Sequence, residues 1–532
     1  MNLSPQPTYP SRRSPVLADD AVATSHPLAT QAGLNALRQG GNAIDAALAA
    51  AITLTVVEPT GNGLGSDAFA LVWDDGRLHG LNASGRAPAA WTPERFSGRQ
   101  AMPTHGWDSV TVPGAVSAWV ALSERFGRLP FDRLFDDAIR AARNGFGVTP
   151  FVAEVWKHSV PTLREQPGFG EAFMPSGRAP QAGERFRSEA QAQTLEAIAA
   201  TRGEAFYRGT LAEAMVDHAQ QHGGALALSD LEQHTADWVE PLQQSFGAYA
   251  LHEIPPSGQG IVALQALGIL ERLDVGRHPV DSVASWHLQI EAIKLAFADA
   301  SQHVGDVRSM PLDPRELLDP AYLDRRAALV QPDRALEATW GTPRDTGTVY
   351  LTAADRDGRM VSFIQSNYMG FGSGVVVPGT GISLQNRGAG FTLEPGHPNQ
   401  VGPGKRPFHT IIPAFLTQDG RPRMSFGVMG GPMQPQGHLQ MVVRTALHGQ
   451  DPQTAADAPR WRFMQGMRVA LEPQVPDDLA SGLAALGHDV QRQEASPDAA
   501  FAFGGAQLIW RRDDGGYVAG SDPRKDGHAG GL

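Results

Sequence analysis

The chain has 532 residues, of which 42% are hydrophobic and 19% are charged, a composition typical of a globular protein with a large core. Its 56 acidic residues outnumber its 44 basic residues, and the net charge of −12 disfavours binding to nucleic acid or to an anionic membrane surface by charge alone. Because there is no cysteine, disulfides, thiolate catalysis and cysteine-ligated metal sites are excluded.

The N-terminal region shows no pattern of a targeting or membrane-spanning segment. No apolar run follows its first basic residues, Arg12 and Arg13. The longest apolar run, residues 46–57, is bracketed by Asp45 and Glu58 and is shorter than the ~20 residues that a membrane helix needs. The sequence therefore predicts a cytoplasmic protein with no membrane contact.

The first clear helix signal begins at Asn42, which is suited to the N-cap, with Asp45 in the favourable first turn. Its alanine-rich sequence predicts a tightly packed, buried helix. A glycine-rich loop follows at residues 59–65. Strands at 68–73 and 77–81, joined by an Asp-Asp-Gly turn, then predict a β-hairpin.

The middle of the chain has mainly helical patterns. Trp286, Ile290, Ile293 and Phe297 lie on one face of a predicted helix that ends near Gly305. Residues 310–343 are rich in proline and aspartate, with little helix or strand signal after residue 330. We expect exposed, flexible backbone directly before residue 348, where cleavage of the chain is feasible.

A strand pattern begins at Thr348. Strands at 348–354 and 360–366, joined by a turn at 355–358, predict a hairpin that brings Ser366 within one position of Thr348. Further strands are predicted at 411–416, 424–428 and 506–510, and helices at 436–447 and 477–486. Without an interdomain linker or a repeat, this pattern indicates a single layered α/β unit.

Several sequence motifs resemble those of the γ-glutamyltransferase family, the glutathione hydrolases, in the same order along the chain. They lie at residues 40–47, 112–114, 125–127, 254–260, 287–299, 345–358, 371–374, 404–407 and 427–432. The resemblance extends from residue 16 to residue 525, and the agreement of independent motifs makes it specific.

This resemblance implies a four-layer αββα fold of the N-terminal-nucleophile hydrolases, formed from one precursor. The precursor would cut itself between Gly347 and Thr348 into a large subunit, residues 1–347, and a small catalytic subunit, residues 348–532, which stay together. Thr348 would be the nucleophile. Its new α-amine, with a reference pKa of ~7.7–8, would serve as the base.

The resemblance also assigns supporting roles in catalysis. Ser366 occupies the position of a family threonine near the nucleophile, and Asn367 lies one position from a family asparagine, so either could orient the Thr348 hydroxyl. Gly430 and Gly431 match the family's oxyanion hole, for which glycine allows the close approach of backbone N–H groups.

The substrate-binding residues of the family are not retained. Its carboxylate-binding arginine falls on Ser84, its amine-binding acid on Gly390, and its serine pair on His409 and Thr410. The segment 392–404 also lacks the insertion that forms a lid in some members.

Arg86, Arg387, His409 and Thr410 are the candidates for binding an acyl group that carries a carboxylate, because a guanidinium suits bidentate binding. Arg86 could equally be a surface residue. Without the acid, a free α-amine on the substrate is not required. The acyl pocket is then expected to accept glutaryl-like or larger groups, as in the cephalosporin acylase branch of the family.

Three functions remain open: cleavage of γ-glutamyl amides or transfer of the acyl group, a cephalosporin or glutaryl acylase, and a non-catalytic homologue that kept the fold. Retention of Thr348, Gly430 and Gly431 favours an enzyme. The glycine-rich loop precedes its strand and is no dinucleotide fingerprint, and the 17 histidines show no metal-ligand spacing. We expect no cofactor and no metal; the partners are an amide substrate and the two subunits, with homo-oligomerisation left open.

Overall fold

The computed structural model describes residue 3 and residues 12–338, 347–494 and 502–532. Its centre consists of two seven-stranded antiparallel sheets. We call the sheet that contains the Gly347–Ala354 strand the hairpin sheet and the other one the opposite sheet. The predicted cleavage loop falls largely on residues 339–346, which lie outside the described residues.

The hairpin sheet is built around the two predicted hairpins, which lie side by side. In spatial order its strands are His528–Gly531, Ala21–Thr24, Gly347–Ala354, Met360–Tyr368, Asp67–Asp74, Arg77–Ala83 and Asp237–Val239.

The opposite sheet combines both ends of the chain with central strands. In spatial order its strands are Val16–Ala18, Tyr517–Ser521, Ala506–Arg511, Arg421–Val428, Ala414–Gln418, Tyr249–Glu253 and Leu242–Phe246. Short strands outside the two large sheets are Phe146–Gly147, Arg185–Phe186, Val376–Val377, Ile382–Ser383, Trp461–Gln465, Arg468–Leu471 and Asp489–Arg492.

Helices from the first half of the chain form the layer on the hairpin sheet. They are Pro27–Arg38, Ala43–Val57, Ala115–Phe126, Asp136–Asn144, Pro150–Leu163, Phe169–Phe173, Glu189–Thr201, Glu204–Tyr207, Thr210–Gln221 and Leu228–Glu232. The Ala43–Val57 helix is buried on every side, which its uniformly apolar sequence requires. As predicted, Asn42 caps it, and Asp45 completes a capping box.

A second group of helices covers the opposite sheet. It comprises Gly260–Arg272, Val283–His303, Pro320–Ala327, Met433–Val442, Pro452–Asp457 and Asp477–Ala485. Trp286, Ile290, Ile293 and Phe297 are all buried, as their spacing predicted. Among the described residues, no helix combines the length and the apolar character needed to cross a bilayer.

Three apolar clusters separate the four layers. Val349, Leu351 and Ala353 pack towards the first group of helices, whereas Tyr350 and Ala354 pack between the two sheets. A third cluster joins the opposite sheet to the second group of helices. The alternation along the Gly347–Ala354 strand follows from the two-residue period of a β-strand. The four-layer αββα fold is confirmed.

Two predicted boundaries were wrong by a few residues. The strand predicted from residue 411 begins at Ala414, because the N–H groups of Ile411 and Ile412 donate to side chains of His409 and Gln434. The helix predicted from 436 begins at Met433 and ends in a π-helical turn over Val443–Leu447.

Candidate active site

Thr348 lies on the inner face of the hairpin sheet. The turn of the hairpin is closed by Asp355, whose carboxylate accepts the N–H groups of Asp357 and Arg359. This turn pairs Val349 with Gln365, and the same register places Ser366 opposite Thr348, in agreement with the predicted hairpin to within one position. A bulge follows, so that Gly347 pairs with Tyr368.

The hydroxyls of Thr348 and Ser366 form a hydrogen-bonded line to the bond predicted to be cut. Thr348 Oγ1 donates to Ser366 Oγ at 3.2 Å, and Ser366 Oγ donates to the Gly347 carbonyl oxygen at 2.7 Å. The N–H of Tyr368 donates to the same Ser366 oxygen. Ser366 therefore joins the candidate nucleophile to the oxygen of the carbonyl that it would attack.

The glycine-rich loop forms a wall behind these atoms. A Cβ atom at Gly61 would lie 3.2 Å from the carbonyl carbon of Thr348, and one at Gly347 would lie 2.7 Å from the carbonyl oxygen of Thr60. Both are tighter than ordinary contacts, so the loop approaches the strand closely only because neither position carries a side chain. The glycines thus serve packing around Thr348.

Asn367 projects to the other face of its strand, as the alternation of side chains requires. Its side-chain oxygen accepts from Ser66 at 2.7 Å, and its amide nitrogen donates to Ser383. The structure therefore brings Ser366, rather than Asn367, to the Thr348 hydroxyl. Asn367 instead joins its strand to the loop and to the Ile382–Ser383 strand.

Gly430 and Gly431 lie directly before the helix Met433–Val442. Their φ angles of +112° and +56° favour glycine, and within the described part of the chain neither N–H donates a hydrogen bond. Across the sheet interface, Thr352 Oγ1 meets Ser425 Oγ at 2.6 Å, and the Tyr350 ring packs on Gly427. These contacts pack the strand that begins at Thr348 against the strand that leads into the glycine turn.

A buried pair of ionisable side chains supports this turn. His438 Nε2 accepts the N–H of Val428, so its Nδ1–H donates to Glu253 at 2.7 Å. Burial raises the pKa of Glu253 and lowers the pKa of His438 to about 3. Sequence patterns gave no sign of this pair, because its members are 185 residues apart.

Arg387 is buried with part of its hydrogen-bonding capacity unused. Its Nη1 donates to Thr410 Oγ1 at 2.8 Å, and its guanidinium lies 4.5 Å from the centre of the Tyr368 ring. Its Nε and Nη2 find no acceptor among the described residues. Burial lowers its pKa to about 10, so at neutral pH it remains a cation.

Gln259 links this arginine cluster to the glycine turn. Its side-chain nitrogen donates to the carbonyl oxygens of Thr410 at 2.5 Å and of Gly431 at 2.8 Å. Its side-chain oxygen is buried and has no donor among the described residues. The sequence motif at 254–260 contains this residue, but only the folded chain shows what it contacts.

His409 is not free to bind a substrate. Its Nε2–H donates to Asp67 at 3.0 Å, and its Nδ1 accepts the N–H of Ile411. Burial lowers the pKa of His409 well below its usual range and raises the pKa of Asp67 to about 7. Both ring nitrogens of His409 are therefore engaged within the protein.

Arg86 lies in a different cluster from Arg387. Its guanidinium forms ion pairs with Asp237 at 3.4 Å and with Asp306 at 3.5 Å, and its side chain is 34% exposed. Asp237 also pairs with Arg406, and Asp306 also pairs with Arg308, so Arg86 belongs to its own network of ion pairs. The structure therefore does not bring Arg86 and Arg387 together.

A cavity of about 570 Å³ opens beside these groups. Its walls include Tyr368, Gly390, Thr410, Gln259 and Pro432, and Arg387 lies behind Tyr368 and Thr410. Aromatic and apolar residues complete it, together with polar groups at its outer part: Phe297, Phe391, Leu393, Phe408, Glu394, His397 and Asn399. Polar and apolar side chains line this cleft in similar measure, and a concave site with several polar groups suits a polar small molecule.

The described residues include one cluster with ligand atoms close enough for a metal ion, formed by His287, Glu291 and His488, far along the chain from Thr348. It lies between the helix Val283–His303 and the segment 331–338. No metal ligand set involves the Thr348 site within this part of the chain.

Comparisons with known proteins agree on one family. The γ-glutamyltranspeptidase family model matches residues 29–532. The chain is 39% identical to an oxamate amidohydrolase proenzyme of Klebsiella pneumoniae, covering 96% of this chain and 98% of the relative. It is 35% identical to a glutathione hydrolase-like proenzyme of Bacillus subtilis, with coverage of 96% and 98%.

Its fold also matches a crystal structure of cephalosporin acylase from Bacillus halodurans. The TM-score is 0.95 and the identity is 47%, over 99% of this chain and 98% of that one. These relatives differ in the substrates that their names give. The resemblance found in the motifs is confirmed: the chain is an enzyme of the γ-glutamyltranspeptidase family.

Proposed function

We propose that this enzyme is a self-processing amidohydrolase that uses Thr348 as its N-terminal nucleophile and prefers amides whose acyl group carries a carboxylate. The observation that carries the proposal is the hydrogen-bonded line from Thr348 through Ser366 to the Gly347 carbonyl oxygen. A nucleophile, a polarising donor and a target carbonyl are thereby held together before any substrate arrives.

In processing, Thr348 Oγ1 attacks the carbonyl carbon of Gly347, and the Ser366 hydroxyl stabilises the charge that develops on the carbonyl oxygen. The hydroxyl proton passes to the Thr348 nitrogen as the C–N bond breaks, which leaves Gly347 as an ester on Thr348 and frees the α-amine. Water then hydrolyses that ester, which gives a carboxylate at Gly347 and restores the Thr348 hydroxyl. The products are the chains 1–347 and 348–532.

In turnover, the freed α-amine of Thr348 accepts the proton of the Thr348 hydroxyl, which attacks the substrate amide. The N–H groups of Gly430 and Gly431, which donate no hydrogen bond to any described residue, are suited to stabilise the oxyanion. The amine product leaves, and water hydrolyses the acyl-enzyme.

The substrate carboxylate is proposed to bind at Thr410, with the charge of Arg387 behind it. Tyr368 covers the guanidinium in the uncut chain, with a φ of +78° that is unfavourable for a residue with a side chain. Because its strand partner is Gly347, processing removes a contact that holds Tyr368 in place. Movement of the ring would then expose the unused donors of Arg387.

The names of the relatives support a carboxylate on the acyl side. Oxamate and glutathione, which occur in the names of two relatives, both carry a carboxylate on the acyl side of the amide. The position of the family's amine-binding acid is Gly390, at the wall of the cavity. The proposal is therefore a carboxylate-directed amidohydrolase, with γ-glutamyl amides as one class of substrate beside glutaryl and oxalyl amides.

The test begins with the purified chain. N-terminal sequencing of the smaller fragment should read TVYLTAAD, and a permanently intact chain would support the non-catalytic alternative. Anilides of glutaryl, γ-glutamyl, oxalyl and uncharged valeryl groups then test the acyl site. We expect valeryl to have a kcat/KM roughly ten- to a hundredfold below glutaryl, the usual cost of one charge-assisted contact.

The same panel tests the need for an α-amine. Glutaryl and γ-glutamyl anilides, which differ only in that amine, should have kcat/KM values within about threefold of each other, because no acid is present at Gly390. A strict requirement for the amine would contradict this expectation. It would point to Glu394, whose carboxylate lies on the wall of the same cavity.

A further inference from the structure

The segment 331–338, which ends nine residues before Gly347, is held by a buried ion pair. The N–H of Leu336 donates to Glu291 Oε2 at 2.8 Å, and its carbonyl oxygen accepts from Lys294 Nζ at 2.8 Å. Glu291 and Lys294 bond to each other at 2.8 Å and are both fully buried. Both backbone groups of Leu336 are thus fixed by charged side chains of the helix Val283–His303.

Two histidines extend this network: His488 belongs to the proposed small subunit and His287 to the proposed large subunit. Lys294 Nζ donates to His488 Nδ1, His488 Nε2 donates to His287 Nδ1 at 2.9 Å, and His287 Nε2 donates to the Gln331 carbonyl oxygen at 2.7 Å. The ammonium is only a donor and the carbonyl only an acceptor, so the two ends determine both tautomers. Burial, reinforced by the Lys294 charge, lowers the pKa of His488 to about 3, which keeps it neutral.

The small subunit also contacts the segment through its backbone. The N–H of Ala335 donates to the carbonyl oxygen of Leu486 at 2.7 Å, and the N–H of Gly466 donates to that of Ala338 at 2.8 Å. Gln331, Ala335, Leu336 and Ala338 are therefore all bonded, although much of the segment is exposed.

A metal site is a poor explanation for this cluster. Ligand atoms of His287, Glu291 and His488 do lie within 4.8 Å of one another. The Lys294 ammonium, however, already provides a cation at 2.8 Å from the Glu291 carboxylate. A buried ion pair is also weak as a source of stability, since apolar residues of similar size often replace one without loss. What the cluster does provide is a defined position for the backbone of residues 331–338.

We propose that Glu291, Lys294, His287 and His488 form a processing anchor, which sets the position from which the chain reaches the cleavage point. The inference rests on the proposed cleavage before Thr348. Gly347 follows Ala338 by nine residues, which can span at most ~30–32 Å when extended. Fixing the near end of this stretch restricts its conformations and so favours those that place the Gly347 carbonyl at Ser366.

The anchor can be removed without leaving a buried charge unpaired, by combining Glu291→Leu with Lys294→Met. The control is Asp299→Asn on the same helix; Asp299 bonds to Gln265, Tyr322 and Arg326 and not to residues 331–338. Precursor made by cell-free synthesis is followed on denaturing gels after translation is stopped. We expect the double variant to be cut at least tenfold more slowly than both the wild type and the control.

Two further measurements separate anchoring from general damage. Once cut, the double variant should have a kcat/KM within about twofold of the wild type, because the anchor does not touch the site. A four-residue glycine-serine spacer inserted after Ala338 should also slow cutting, and adding it to the double variant should slow cutting little further, since both relax the same restraint. The spacer changes no core residue, so the inference stays testable if the double variant does not fold.

If the double variant and Asp299→Asn were cut at equal rates, the proposed role of the processing anchor would be wrong. It would also be wrong if the spacer slowed the double variant as much as it slows the wild type. If the wild-type chain is never cut before Thr348, the proposed function has failed instead, and the gel shows this independently of any variant.

Discussion

The hairpin formed by Gly347–Ala354 and Met360–Tyr368 lies next to the cleft around Arg387 and Gln259. The two regions differ in how completely their polar groups are paired. On the hairpin, Ser366 Oγ accepts from Thr348 and Tyr368 and donates to Gly347. In the cleft, Arg387 has two nitrogens without acceptors and Gln259 has an oxygen without a donor among the described residues. Buried polar groups are usually paired, so the difference is informative.

This difference fits our proposal, in which the hairpin groups act on the chain itself and the cleft groups bind a ligand. An anion would supply acceptors to Arg387, and an amide N–H would supply a donor to Gln259. Changes on the hairpin should therefore affect both cutting and turnover, while changes in the cleft should affect only turnover. The predictions below test this distinction.

The largest effect is expected from Thr348→Ala. This variant should fold, remain a single chain and have no detectable amidase activity, because both reactions use the same hydroxyl. Thr348→Ser, which keeps a hydroxyl and can release an α-amine, is the matched control and should retain part of both activities. A denaturing gel and an anilide assay measure the two outcomes; normal cutting of the alanine variant would mean that another residue is the nucleophile.

Ser366→Ala should slow cutting by roughly a hundredfold, the typical cost of losing one donor to a developing oxyanion. Ser366→Thr restores a hydroxyl and should recover most of the rate. Asn367→Ala tests the other side of the strand. Since its amide bonds to Ser66 and Ser383, it should lower the thermal midpoint more than it lowers the cutting rate of the surviving folded protein.

A cutting rate in Ser366→Ala that matches the wild type would remove Ser366 from the mechanism. Cutting that fails equally in Ser366→Ala and Asn367→Ala would mean that both act through the geometry of the strand.

The contrast between the two regions also shows what the sequence could reveal. The hairpin was predictable because strand propensity, the two-residue period and the turn at 355–358 are all local. The pairing of Ser366 with Thr348 followed from them to within one position. Their family roles came from motif order, and the catalytic assignments stay predictions.

The cleft was not predictable in the same way, because its contacts join distant parts of the chain. His409 was a candidate ligand for substrate until its partner Asp67, 342 residues away, was placed beside it. Arg86 was chosen for lying two residues from a family position, whereas its role depends on Asp237 and Asp306. Arg387 Nε and Nη2 lack an acceptor among the described residues, and this depends on all the distant segments that pack around the side chain.

In the cleft, Arg387→Ala and Arg86→Ala form a matched pair. Arg387→Ala should lower kcat/KM for glutaryl anilide by about ten- to a hundredfold, or ~1.5–3 kcal/mol, and leave the uncharged valeryl anilide nearly unchanged. Arg86→Ala should change both by less than about threefold, because its cluster is partly exposed. Both variants should be cut normally. Equal losses for the two substrates in Arg387→Ala would show that the arginine supports the fold rather than the carboxylate.

The smallest predicted effect concerns pH and Asp67. Burial raises the pKa of Asp67 to about 7, and its charge interacts with that of Arg387. Above pH 7 the Asp67 carboxylate offsets part of the Arg387 charge; below pH 7 Asp67 is protonated and the offset disappears. A ligand carboxylate, with a pKa of ~4–5, stays ionised throughout this range.

Glutarate, as a competitive inhibitor that cannot be hydrolysed, should therefore bind about two- to fivefold more tightly at pH 6 than at pH 8, a difference of ~0.4–1 kcal/mol. The free α-amine of Thr348 also titrates near this range, so Asp67→Asn is the necessary comparison. The amide in this variant keeps an oxygen that can accept from His409 but carries no charge at any pH. Both proteins share the pH dependence that the α-amine contributes. After that contribution is subtracted, Asp67→Asn should bind glutarate at pH 8 as tightly as the wild type binds it at pH 6. If both proteins show the same pH dependence, the α-amine causes it and Asp67 does not modulate the charge of Arg387.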